Sequence, residues 1–143
     1  MNAIDFLIKE HNKVRTMLED INDDSHHFDT KKNRFELLAQ TLIRHEHMEH
    51  KVWYPHFKNQ LSDTVKHLIK EESMAEQEIK KIKALKTEAS WVAHFSKFME
   101  DVEHHAQEEE NELFPEVQKI LSEEQLQEIG QSMAQYKKDH STE

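Results

Sequence analysis

The chain has 143 residues with 29 acidic and 19 basic side chains, a formal charge of −10, 12 histidines, no cysteine, one glycine and two prolines. Without cysteine there is no disulfide scaffold, thiolate zinc site, iron–sulfur cluster or thiol nucleophile, and one glycine cannot furnish a phosphate-cradling loop, a dinucleotide-binding turn or a sheet of tight hairpins. The acidic balance argues against a nucleic-acid partner, which needs a basic face. No apolar run approaches the ~20 residues of a membrane span, and the opening MNAIDFLIKEHNK has no signal-peptide core, so a cytoplasmic protein without a membrane partner is expected.

Val, Ile, Leu and Phe account for 33 of the 143 residues, enough for a lean core. The first helical block runs from about Asn2 to Ile21, with Ile4, Leu7, Val14, Leu18 and Ile21 on one stripe, and the polar stretch 22–30 ends it. The second runs from about Lys31 to Gln60 behind an Asp29 or Thr30 cap, with Phe35, Leu38, Leu42 and Val52 in register. The third, from about Asp63 to Lys86 behind Ser62 or Asp63, carries Val65, Leu68, Ala75, Ile79 and Ile82. The fourth, from Glu88 or Ser90 to Leu121, carries Phe95, Phe98 and Val102. A short last helix, 123 to about 138, follows Ser122, with Gln125 completing a capping box. Pro55 and Pro115 must kink or interrupt the blocks that contain them. These patterns predict one all-α domain over 1–143, an antiparallel up-down four-helix bundle over about 2–121 plus the short C-terminal helix.

Polar residues break the stripes at mid-length. The missing inward steps are His11 in the first block, His45 and Glu49 in the second, Glu72 in the third, and His105 and Glu109 in the fourth. Burying six unpaired titratable groups in one layer costs several kcal/mol for each ionised group, and a bound cation would offset that cost. An internal repeat points the same way. His45-x3-Glu49-x5-Pro55 recurs as His105-x3-Glu109-x5-Pro115, and LIKEH ending at His11 recurs as LIKEE ending at Glu72. A His-x3-Glu pair sets both side chains on one helical face a turn apart. There an imidazole can hold one metal while the carboxylate bridges to a second, as in bundle-core sites for paired non-haem iron.

On these residues the chain resembles the hemerythrin-like (HHE cation-binding) domains, over about residues 3–121. The resemblance implies a diiron site open at one position to a small diatomic or peroxide ligand: dioxygen, peroxide or nitric oxide. His11 and His45 would serve one iron and His105 the other, with Glu49 and Glu109 bridging. The family's third-helix histidine is missing; Glu72 occupies that register, and Glu76, one turn on, is an additional candidate ligand. An oxygen-rich site of this kind favours the ferric state and peroxidase-, catalase- or oxidase-like chemistry over reversible oxygen binding, and it would also admit manganese. Sensing or buffering iron fits the same ligand set.

The remaining histidines read as peripheral. His104 with Glu108 flanks the fourth stripe, His67 lies one residue off the third, His47, His50, His56 and His94 sit at the edge, and His26 and His27 lie in a polar loop. Trp53, Tyr54 and Trp91 read as packing residues. Two other classes compete: a histidine-phosphotransfer module, which needs an exposed histidine beside basic residues, and a metal-free helical interaction domain, which leaves the titratable layer unexplained.

Overall fold

The computed structural model describes residues 1–141, so the last two positions of the expected 1–143 domain lie outside it. Six α-helices follow in order: α1 (Ala3–Ile21), α2 (Phe28–Val52), α3 (Ser62–Ala84), α4 (Glu88–Glu108), α5 (Phe114–Ile120) and α6 (Glu123–Asp139). There is no strand among the described residues. A 3-10 turn (Tyr54–His56) follows α2, and a π-helical turn (Glu109–Leu113) joins α4 to α5. The result is an all-helical bundle in which α1 packs on α2, α4 and α6, and α3 packs on α2 and α4. No helix of the described residues is long and apolar enough to cross a membrane.

Local chemistry sets most boundaries. The Asn2 side chain accepts the Asp5 amide at 2.8 Å, opening α1, and Thr87 does the same for Ser90, opening α4. Ser122 and Gln125 form the expected reciprocal capping box, and the helix behind it is a full 17 residues that covers α1 and α2. Two expected starts are corrected. The second helix begins at Phe28 rather than near Lys31, with His27 in the cap position and no side-chain cap. The extra turn lets the Phe28 ring meet Trp91 edge-on at 5.8 Å, a contact of the same order as the cap it forgoes. The third helix begins at Ser62 behind Leu61, again without a side-chain cap.

The prolines act differently in the two halves of the repeat. Before Pro55 the helix ends at Val52 and the chain turns through Tyr54–His56, so the irregular connection 53–61 is longer than the α1–α2 loop. Before Pro115 the chain stays helical. The missing N–H and the clash of its ring with the carbonyl four residues back are absorbed by the wider π turn, in which the Phe114 amide reaches the Glu109 carbonyl.

The buried apolar residues form two clusters. One contains Leu7, Met48, Trp53, Phe57, Leu68, Leu113 and Phe114, with Leu126, Ile129 and Met133 of α6. The other contains Val14, Leu18, Phe35, Leu38, Ile79, Trp91, Phe95 and Phe98. Between them, in each of the four helical blocks, lies a titratable layer: His11, His45, Glu46, Glu49, Glu72 and Glu109 are buried. His105 is 20% exposed at its edge.

Candidate metal centre

The layer resolves into two groups of ligand atoms. His11, His45 and Glu109 offer atoms within 4.8 Å of one another, and so do Glu49, His105 and Glu109. Glu109 belongs to both. The Nε2 atoms of the three histidines face inward: His105 lies 2.9 Å from Glu109, His11 3.9 Å from the same oxygen, and His45 3.5 Å from Glu49. The turn that carries Glu109 is the π turn, whose altered register follows from Pro115. Widened turns of this sort recur at functional sites.

Each histidine also has an outer carboxylate on its Nδ1 side. Glu110 lies 2.7 Å from His11 Nδ1, Glu71 lies 3.0 Å from His105 Nδ1, and Glu10 lies 3.8 Å from His45 Nδ1. A carboxylate behind an imidazole fixes the tautomer that leaves Nε2 free to bind and raises its basicity. The outer groups are anchored in turn. Arg15 donates to both oxygens of Glu110 at 3.0 and 3.2 Å, and Lys137 of α6 donates to Glu10 at 2.8 Å.

Electrostatics divide the carboxyl groups. Burial pushes Glu49 well above its ordinary value, with Glu109 and Glu72 adding to the effect. Burial acts on Glu109 too, but the His105 and His11 rings hold it well below the carboxylate range. For His105, burial disfavours the imidazolium, yet Glu109, Glu71 and Glu72 raise its pKa to about 12. Glu46 is raised to about 9 by burial and by Glu72 and Glu76. Burial opposes ionisation of Glu10, but the His45 ring and the Lys137 ammonium hold it at about 2.

Both nitrogens of His45 and both oxygens of Glu49 are buried without a hydrogen-bond partner, and the buried Glu109 oxygens have only the ion-pair contacts with His105 and His11 given above. Native interiors rarely leave so many polar atoms unsatisfied in one place. The set is imidazole nitrogen and carboxylate oxygen, donor chemistry that suits transition metals, so these residues fit a bound cation. Residues 2–117 match the family model of the hemerythrin HHE cation-binding domain. The chain belongs to that family. No curated protein and no solved structure matches it.

Within this HHE domain the seven expected site residues do not stand alike. His11, His45, Glu49, His105 and Glu109 form the two groups above. Glu72 is in the same layer and 3.7 Å from His105 Nε2, but its oxygens already accept hydrogen bonds from Tyr54 at 2.6 Å and from His50 Nε2 at 2.8 Å. Glu76 is half-buried and joins neither group. Tyr54 therefore does more than pack: its hydroxyl orients a buried carboxylate. His50, at the bundle edge, shares that task.

Sequence periodicity missed Glu46 and the outer carboxylates Glu10, Glu71 and Glu110. All four are chain neighbours of an inward residue and sit on the flank of the stripe. An acidic residue next to His11, His45, Glu72 and Glu109 in turn was the available signal.

Proposed function

We propose that this layer holds a pair of non-haem irons and that the protein is a hemerythrin-like diiron protein. Its ligand would be dioxygen, peroxide or nitric oxide, with iron sensing or buffering open to the same site. The observation that carries this reading is the sharing of Glu109 between two donor groups, one with His11 and His45 and the other with Glu49 and His105. Two separate cations would not need a common carboxylate, and one cation would leave a group unused.

His11 and His45 would hold one iron and His105 the other, with Glu49 and Glu109 spanning both. A bound iron pair supplies the exchange of electrons with a small oxygen- or nitrogen-containing ligand. The chain's own residues prepare the place. Glu110, Glu10 and Glu71 orient the three imidazoles. Leu7, Met48, Leu113 and Phe114 on one side and Val14 on the other exclude water. Glu72, fixed by Tyr54 and His50, places a carboxylate beside His105 in the third helix. That extra carboxylate hardens the site and favours the ferric state, hence peroxide or oxidase chemistry over reversible oxygen carriage. Manganese is the runner-up metal. The whole chain is read as one such domain in the cytoplasm, its four long helices running up-down and antiparallel.

Metal analysis of the purified protein, with its visible spectrum, tests this. We expect about two irons per chain and charge-transfer bands that respond to azide. A chain that takes up no iron after aerobic and anaerobic reconstitution overturns the proposal.

A further inference from the structure

His-x3-Glu occurs four times in this chain: His45/Glu49, His67/Glu71, His104/Glu108 and His105/Glu109. The first and last pairs point into the bundle. The middle two lie on the outward flanks of α3 and α4 and face each other. His67 Nε2 is 3.0 Å from Glu108 and 3.5 Å from Glu71. His104 Nε2 is 3.9 Å from Glu71 and in ion-pair contact with Glu108. His67, Glu71 and Glu108 bring ligand atoms within 4.8 Å of one another. His67 and Glu108 border a surface depression of about 230 Å³ that also touches Glu112 and Asp63.

We propose that His67, Glu71, His104 and Glu108 form a second, outer cation site that captures a divalent transition metal from solution and feeds the inner centre. Two imidazoles with two carboxylates suit iron(II), zinc(II) or manganese(II) rather than magnesium or calcium, which take oxygen ligands alone. The histidines are more than half exposed while the carboxylates are largely covered, so a hydrated ion reaches the imidazoles first and sheds water as it descends. Glu71 links the two sites: one oxygen faces His67 and the other lies 3.0 Å from His105 Nδ1. An ion at the outer site therefore draws on the carboxylate that holds an inner ligand in place. The capture site stands on its own geometry; the feeding role rests on the diiron reading.

The test uses metal-free full-length protein, titrated calorimetrically with zinc(II), and compares wild type with the surface double variant His67→Gln/His104→Gln. The wild type is expected to show an inner class of binding and a weaker outer class. The double variant should lose at least about tenfold in the outer class and keep the inner one. An isotherm identical to wild type overturns the outer site. The inner variant His45→Gln/Glu49→Gln should do the reverse; if it changes nothing, the inner metal centre fails while the outer site stands. Iron(II) loading followed by stopped-flow absorbance should slow about tenfold in the surface variant. An unchanged loading rate overturns the feeding role.

Discussion

Glu49 and Glu109 are both fully buried, with oxygens within 4.8 Å of each other, yet their pKa values are driven in opposite directions. Burial and its acidic neighbours favour the protonated form of Glu49, while the His105 and His11 rings favour the ionised form of Glu109 despite its burial. Without a cation the layer is therefore held by a charged His105–Glu109 pair at 2.9 Å beside a neutral Glu49. Two substitutions separate these roles. Glu49→Gln replaces a neutral acid with a neutral amide, so the metal-free protein should keep its stability to within about 1 kcal/mol. Glu109→Gln removes the carboxylate nearest to His105 Nε2, leaving the imidazolium to Glu71 at 3.0 Å and Glu72 at 3.7 Å, and should cost about 2 kcal/mol. Both should weaken cation binding at least about tenfold. Denaturant unfolding of the two metal-free variants, followed by metal titration, reads all of this. Equal destabilisation by the two changes would contradict the assignment.

Cation uptake should release protons. Without a cation His105 holds its proton up to about 12, and Glu49 holds one far above the carboxylate range. Metal ligands must be deprotonated, so a cation takes the place of these protons and the apparent affinity should rise with pH. Calorimetric titration in two buffers of different ionisation enthalpy at neutral pH should show about one or more protons released for each inner site filled. Zero release would mean that neither group is a ligand.

The C-terminal helix should contribute to the centre through Lys137. Its ammonium lies 2.8 Å from Glu10, whose carboxylate stands behind His45. Glu10 has a folded pKa of about 2, below its ordinary 4.5. Its stabilisation is thus present above about pH 4.5 and fades as the pH falls towards 2. Glu10 stays partly hydrated, so Lys137→Met should cost only about 1 kcal/mol at pH 7. The difference from wild type should shrink on acidification to pH 3. Unfolding curves at the two pH values measure it, and a gap that persists unchanged at pH 3 would assign the loss to packing of the lysine stem.

The bundle was legible because its signal is periodic. The step of three and four residues put Leu7, Leu18, Phe35, Leu68, Ile79 and Phe98 inside, and all are buried. The same register read the polar interruptions at mid-length. Features that depend on a partner helix were not legible. Glu10, Glu71 and Glu110 flank their stripes, and only the packing of α1, α2, α3 and α4 determines which imidazole each meets. The early start of α2 brings Phe28 against Trp91, 63 positions away in the chain. Pro55 and Pro115 are equivalent in the repeat, yet one ends a helix and the other widens a turn. Phe114, just before the second proline, is buried between His11 and Trp53, and that packing keeps its segment helical.

The sole glycine carries a constraint of its own. Gly130 lies inside α6, where glycine costs about 1 kcal/mol relative to alanine in a free helix. At this position α6 crosses the start of α1. A Cβ here would sit 2.3 Å from the Met1 carbonyl oxygen, 2.9 Å from the Asn2 carbonyl carbon and 3.0 Å from the Ala3 amide nitrogen. All three are backbone atoms, and the Asn2 cap on Asp5 ties them to α1. Gly130→Ala must therefore push α6 off α1, and overpacking of this kind costs about 1–3 kcal/mol. Set against the gain in helix propensity, a net loss of up to about 2 kcal/mol is expected. The exposed neighbour supplies the control: Gln131→Ala adds helix propensity without the clash and should be neutral or slightly stabilising. Thermal unfolding of the two variants decides the point, since a stabilised Gly130→Ala would show that the two helices are not held in close contact. Displacing α6 also draws Lys137 away from Glu10, so the alanine variant should lose part of the pH dependence that Lys137→Met removes.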